Sequence, residues 1–190
     1  LEREMARAAR AEAFERAGEL KRQLFALRHI HDVALIQNPP STSRGIRIEA
    51  YDLSHFGGKG IVGAMAVIEN GTAKPSEYRL FNIRGTATQN EVAGLKEILA
   101  RRLAHSEWPY PALIVVDGNA VQKRAAEKML KENRKDIPVV AVVKDEHHRP
   151  REILGNIRYG SAEERAVMLA NSEAHRFALR FQKKKRYTVK

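Results

Sequence analysis

The run ALIVVDG, Ala112 to Gly118, constrains the fold of this chain more than any other stretch. Its apolar residues follow one another without a polar partner, so a strand built from them has no wet face and both sides of its sheet must be covered. The neighbouring segments supply the cover. NEVAGLKEILARRLAHS (Asn90–Ser106) places Val92, Leu95, Leu99 and Leu103 at helical spacing, and a second helical segment, AVQKRAAEKMLKE, follows the strand. A further apolar strand, VVAVVK (Val139–Lys144), precedes a long helix from Ser161, where Ser161 and Glu164 have capping-box spacing.

Upstream, the period is two. Ile46–Leu53, Ile61–Glu69 and Glu77–Ile83 read as strands, with Asn70-Gly71 turning the chain between the second and third. Short links between consecutive strands imply an antiparallel meander. The order βββαβαβ plus a terminal helix predicts an α/β fold, a mixed sheet of three antiparallel strands followed by parallel ones, flanked by helices.

Two prolines in QNPPSTSRG stop whatever precedes them, so residues 37–45 read as a linker. Before it, Leu20, Leu24 and Leu27 repeat at helical spacing, as do Leu1, Met5, Ala8 and Ala9, but the two stripes lose phase across Ala11–Phe14. Two short antiparallel helices are expected over residues 1–36. Such a hairpin buries little surface alone, and it serves either as a docking element for a partner or as an arm packed on its own domain.

With 43% apolar and 30% charged residues in 190, the composition is that of a soluble globular protein. The absence of cysteine excludes a disulfide framework and a thiolate metal site, which fits a reducing cytoplasm. Apolar runs are too short to span a bilayer and the first twenty residues are too charged for a signal peptide, so no membrane role is expected. The chain opens on Leu1 and is expected to be part of a longer protein. Its net charge is +11, of which residues 176–190 carry seven Lys or Arg and no acid, a run that attracts polyanions such as nucleic acid when it is more than a solvated terminus.

The chemistry concentrates on three residues. Ile46, Ile48, Ala50 and Asp52 share one face of the first strand, so a carboxylate ends a row of core-facing side chains. Asp117 ends the apolar strand, where ligands sit in sheets of this kind. If the first strand lies centrally, the two aspartates are neighbours. Two half-buried carboxylates repel each other unless a cation neutralises them, and a hard divalent metal does so; alternatively each caps the turn that follows it. His175 lies one step around from Ala174, at the margin of the stripe Val167, Ala170, Ala174, Phe177, Phe181.

In order and at comparable spacing, RIEAYDLSH, ENGTAKPSEYRLFNIRG, ALIVVDG and NSEAHRFALRF resemble the endonuclease domain of the bacterial UvrC excinuclease family, from about Arg47 to the end. LEREMARAARAEAFERAGELKRQL resembles the UVR motif, through which members contact UvrB. The resemblance implies a UVR-like hairpin over 1–36, a linker over 37–45 and an RNase H-like endonuclease domain over 46–190. It further implies a nuclease that cuts one strand of damaged double-stranded DNA on the 5′ side of a lesion, in nucleotide excision repair. The family's catalytic set of two aspartates and a histidine falls on Asp52, Asp117 and His175, with Mg²⁺ or Mn²⁺ as the metal and no small-molecule cofactor. A fourth acidic position falls on Glu91, which also has capping-box spacing from Thr88. Lys144, Arg176, Lys183, Lys184, Lys185 and Arg186 are expected to hold DNA by its phosphates without reading bases.

Departures from the family are specific. After the second aspartate the family has Gly-Gly-Lys-Gly-Gln, whereas this chain has Gly118, Asn119, Ala120, Val121 and Gln122. Residues 1–190 include neither the family's GIY-YIG nuclease domain nor its helix-hairpin-helix pair. Two rival readings share most of these features: a non-catalytic DNA-binding scaffold, which has no need of three metal-reaching groups, and an RNase H-fold nuclease acting on hybrids or junctions.

Overall fold

The computed structural model describes residues 46–55, 61–83, 90–145, 150–155 and 161–188, together with eight positions between 4 and 20; the side chains of 55, 161–163 and 183–188 lie outside the description. The chain divides into two units, Leu1–Pro39 and Pro40–Lys190. In the first, Glu4, Arg7, Arg10, Glu15, Arg16, Glu19 and Leu20 are helical, and Arg16 pairs with Glu19 at 3.3 Å. The expected pairing of two helices and the linker at 37–45 lie outside the described residues.

The second unit is built on a seven-stranded sheet. Strands β1 (Arg47–His55) and β2 (Ile61–Glu69) pair antiparallel along their whole length, from Arg47 opposite Glu69 to His55 opposite Ile61. Asn70 (φ 54°) and Gly71 (φ 73°) then adopt the left-handed backbone that a tight hairpin needs, and the chain returns as β3 (Thr72–Ala73). The third strand expected from the sequence, over Glu77–Ile83, starts later than expected, and the short β3 before it was not expected. Pro75 opens a 3₁₀ turn (Pro75–Glu77) and has no N–H to give a ladder, so pairing with β2 resumes only at β4 (Arg79–Asn82).

Beyond the meander come α1 (Glu91–Ala104), β5 (Leu113–Asp117), α2 (Ala120–Glu132), β6 (Val139–Lys144), β7 (Pro150–Leu154) and α3 (Ser161–Thr188). The sheet order is β3-β2-β1-β5-β6-β7, with β4 also on β2. β1, β5 and β6 run parallel, so the meander's first strand is central, and β7 returns antiparallel on β6. The sequence order contained no β7. PREIL lacks an alternating pattern and its first three residues are exposed, which an edge strand tolerates, including a proline at its first position.

Helices α1 and α2 pack on each other and on the sheet face that Glu49 and Tyr51 share; α3 crosses β1 and β2 on the face of Ile48, Ala50 and Asp52. Val115 and Val116 of β5 are therefore dry on both sides, as the apolar run requires. The seat of α1 is close. A Cβ at Gly63 would lie 2.0 Å from Ile98 Cδ1, so any larger residue there would have to displace the Ile98 side chain. No helix among the described residues is long and apolar enough to cross a membrane.

Helix α1 starts differently from the capping box anticipated between Thr88 and Glu91. Its cap is Asn90, whose side chain accepts the Val92 and Ala93 N–H groups, so Glu91 is the first helical residue and points from the helix mouth.

A buried ionic cluster on the α1 face went unread in the sequence. Glu49 is 0% exposed and accepts from Arg102 Nε (2.9 Å) and Nη2 (2.8 Å), from Arg47 Nη2 (3.1 Å) and from the Tyr51 hydroxyl (2.8 Å). Arg102 also donates to the Pro109 carbonyl at 2.6 Å, and Arg47 pairs outward with Glu77. Burial, with the Glu49 charge beside it, pushes the Tyr51 hydroxyl well above its usual pKa, so the phenol stays a donor.

Candidate metal centre

Parallel pairing of two central strands brings the aspartates together. Tyr51 lies opposite Val116, so the next residues, Asp52 within β1 and Asp117 at the end of β5, stand side by side on one face of the sheet. On the following strand Val142 lies opposite Asp117, and Lys144, two residues on, shares that face; its Nζ is 2.5 Å from Asp117 Oδ2. Helix α3 presents His175 from above, with Nδ1 3.7 Å from Asp52 Oδ2. The Ser54 hydroxyl donates to the same Asp52 oxygen at 3.2 Å.

Asp52, Asp117 and His175 each offer one ligand atom, and these atoms lie within 4.8 Å of one another. The carboxylates sit low in the sheet and the imidazole at the rim, since Asp52 is 4% exposed whereas the His175 side chain is 47% exposed. A cleft of about 210 Å³ opens beside them, walled by both aspartates, Glu91, Gln122 and Lys144. A larger cleft of about 530 Å³ lies at the far end of α2, among Lys131, Arg134 and Lys135, away from this donor set.

The electrostatics of the pair are asymmetric. Burial pushes Asp52 up, but hydrogen bonding with His175 and Asp117 and the nearby charges of His175 and Lys144 outweigh it, leaving Asp52 below the usual carboxylate range. Burial and the neighbouring Asp52 push Asp117 up to about 6, against the opposing pull of Lys144. Two negative charges this close are tolerated poorly, and the second one waits for a cation or takes a proton.

Other residues singled out in the sequence fall elsewhere. Arg176 pairs with Glu173 one turn back on the same helix, and buried Glu173 also accepts the Tyr78 hydroxyl at 2.6 Å. Lys183, Lys184, Lys185 and Arg186 continue α3 as helix, with side chains outside the described residues. The sequence reading missed Ser54, Gln122 and Glu173 as partners. Glu173 could have been found, because it sits three residues after Ala170 on the buried stripe and an acid there demands a partner.

Comparison with known families decides the kinship. The profile of the UvrC RNAse H endonuclease domain matches residues 41–185, and that of the UvrB/uvrC motif matches residues 1–30. The chain belongs to the UvrC family. The UvrABC system protein C of Clostridium perfringens (strain SM101 / Type A) is 35% identical over 181 residues, covering 83% of this chain and 28% of that protein. Its counterpart in Acetivibrio thermocellus is 34% identical over 171 residues, covering 75% of this chain and 27% of that one. The chain thus spans less than a third of the length of these UvrC relatives. Among solved structures, a Ciona intestinalis endonuclease V in complex with inosine-containing DNA aligns with a TM-score of 0.47 at 11% identity, covering 85% of this chain and 98% of that one. The mixed sheet with helices on both faces is the RNase H-like fold of the UvrC nuclease domain.

Proposed function

We propose that this chain is the metal-dependent nuclease part of a UvrC protein, making the 5′ incision in damaged duplex DNA during nucleotide excision repair, with Mg²⁺ or Mn²⁺ as its metal. The observation that carries the reading is the convergence of Asp52, Asp117 and His175 within 4.8 Å. The donor set fits a hard divalent ion: two carboxylate oxygens and one imidazole nitrogen, all within 4.8 Å of one another, would serve as its ligands. When bound, such an ion neutralises charge at the reacting phosphate and lowers the pKa of water beside it. Asp52 and Asp117 hold it from the sheet and His175 from the rim, while Ser54 fixes the Asp52 carboxylate. Lys144 stabilises Asp117 in its charged form and stands at the mouth, where a phosphate would approach. The basic end of α3 holds the strand by its phosphates, and the segment matching the UVR motif docks on UvrB.

Incision is the direct test. Supplied with UvrB and a duplex carrying one bulky lesion, the chain is expected to nick the damaged strand on the 5′ side in Mg²⁺, to stop in a chelator and to resume in Mn²⁺. Equal cutting of an undamaged RNA–DNA hybrid would instead favour the hybrid-nuclease reading, and cutting in the chelator would exclude the metal.

Proton competition gives a second test that needs no DNA. Because Asp117 must shed a proton that it binds at about pH 6, Mn²⁺ affinity is expected to be level above that pH. Below it, affinity should fall about tenfold per pH unit from this proton alone. A calorimetric titration that stays flat down to pH 5 would remove Asp117 from the ligand set.

A further inference from the structure

The cleft wall facing the aspartates is built by the first turns of two helices. Glu91 opens α1 and Gln122 is the third residue of α2, and both line the cleft with Asp52 and Asp117. Glu91 does not belong to the close group formed by Asp52, Asp117 and His175. At the first position of a helix its carboxylate is carried on three rotatable bonds, and freedom of that kind must be removed before it can serve a fixed point in the cleft.

Gln122 supplies one restraint. Its Oε1 accepts the Asn119 backbone N–H at 3.1 Å, closing the capping box of α2, and its Nε2 reaches Glu91 Oε2 at 3.4 Å. The orientation of the amide is dictated by its neighbours: a backbone N–H needs the oxygen, which leaves the NH₂ for the carboxylate. The chain also makes room for this side chain. Gly118 holds φ +147°, and a Cβ there would lie 2.8 Å from Gln122 Cδ. The 3.4 Å contact is long for an amide donor, as contacts in unliganded catalytic sites often are before they tighten around their target.

We infer that Gln122 is a positioning residue: its amide aims the carboxylate of Glu91, the residue at the family's fourth acidic position, across the cleft toward the cation that Asp52 and Asp117 would hold. The inference rests on the metal-site reading above. It separates one side chain into two duties, a helix cap through Oε1 and a carboxylate clamp through Nε2.

Mn²⁺ affinity measured by calorimetry on five forms of the chain tests it: the parent, Glu91→Gln, Gln122→Leu, the double variant, and Asn119→Ala. Glu91→Gln and Gln122→Leu are each expected to weaken Mn²⁺ binding about tenfold, the scale for outer partners of metal ligands. The double variant should be no weaker than Glu91→Gln alone, because both changes remove the same aimed carboxylate. Asn119→Ala strips the α2 cap without touching Glu91, so it should lower Tm by about 3 °C and leave Mn²⁺ affinity within about twofold. Parent-like Mn²⁺ binding by Gln122→Leu would overturn the inference. So would losses that multiply to about a hundredfold in the double variant, or an Asn119→Ala loss matching that of Gln122→Leu. Failure of the metal site itself looks different: the parent would then show no Mn²⁺ binding, and the inference would fall with it.

Discussion

Asp52→Asn is expected to abolish metal-dependent nicking while leaving the fold intact. The substitution keeps the size and shape of the side chain and removes one charge. With it goes one of two carboxylates that reach the common centre, and incision should drop by on the order of a thousandfold or more, the scale for removing a principal electrostatic element of a catalytic site. Mn²⁺ affinity should fall by at least about tenfold. Stability behaves otherwise. Asp52 gains from His175 and Lys144, but after burial it is the neighbour that pushes Asp117 up, to about 6, so neutralising it sacrifices favourable interactions and relieves an unfavourable one. We expect Tm to stay within about 3 °C of the parent. Circular dichroism melts and a nicking assay on the same preparation check both halves; undiminished nicking with a normal melt would remove Asp52 from the site. DNA binding gives a further discrimination, since a pure scaffold would bind DNA at least as well after the change and would have had no nicking to lose.

What the sequence made legible here was periodicity and what it hid was pairing. ALIVVD could only be a strand covered on both faces, and a strand of that kind ends where ligands bind, so Asp117 was readable from its own neighbourhood. Asp52 needed one further step, the central placement of the first strand, and the β1–β5 register supplies it. β3 and β7 stayed hidden because short edge strands carry little periodic signal and their pairing depends on the strand beside them. The start of α1 was legible to within a residue, at Asn90, but the cap was not: Thr88 and Glu91 have the spacing of a box, yet Asn90 stands one residue before the helix and its side-chain carbonyl accepts the free N–H groups. Gln122 was invisible as a partner of Glu91, because the two are 31 residues apart and meet only when the first turns of α1 and α2 line one cleft.

The largest stability effect is expected at Glu49, three residues before Asp52 on the same strand. The two acids make an instructive pair. Both are buried, at 0% and 4% exposure, on opposite faces of β1. Glu49 is matched inside the protein by two guanidiniums and a phenol, so its charge is fully answered by the fold. Asp52 has an exposed imidazole and a serine hydroxyl, and its neighbour Asp117 has one lysine, so that end of the sheet is left short of positive charge. A carboxylate answered by the fold is structural; one left wanting a cation is the candidate for chemistry. The prediction separates them. Glu49→Leu leaves Arg102, itself 1% exposed, as a buried cation without its carboxylate, and should cost about 3–5 kcal/mol, or roughly 10 °C in Tm. Adding Arg102→Met removes the orphaned charge and should recover most of that loss, leaving about 1–2 kcal/mol for the Tyr51 hydroxyl deprived of its acceptor. Urea denaturation of the single and double variants measures both numbers. Equal destabilisation by the two would mean that packing around Glu49, and not the ionic match, holds α1 against the sheet.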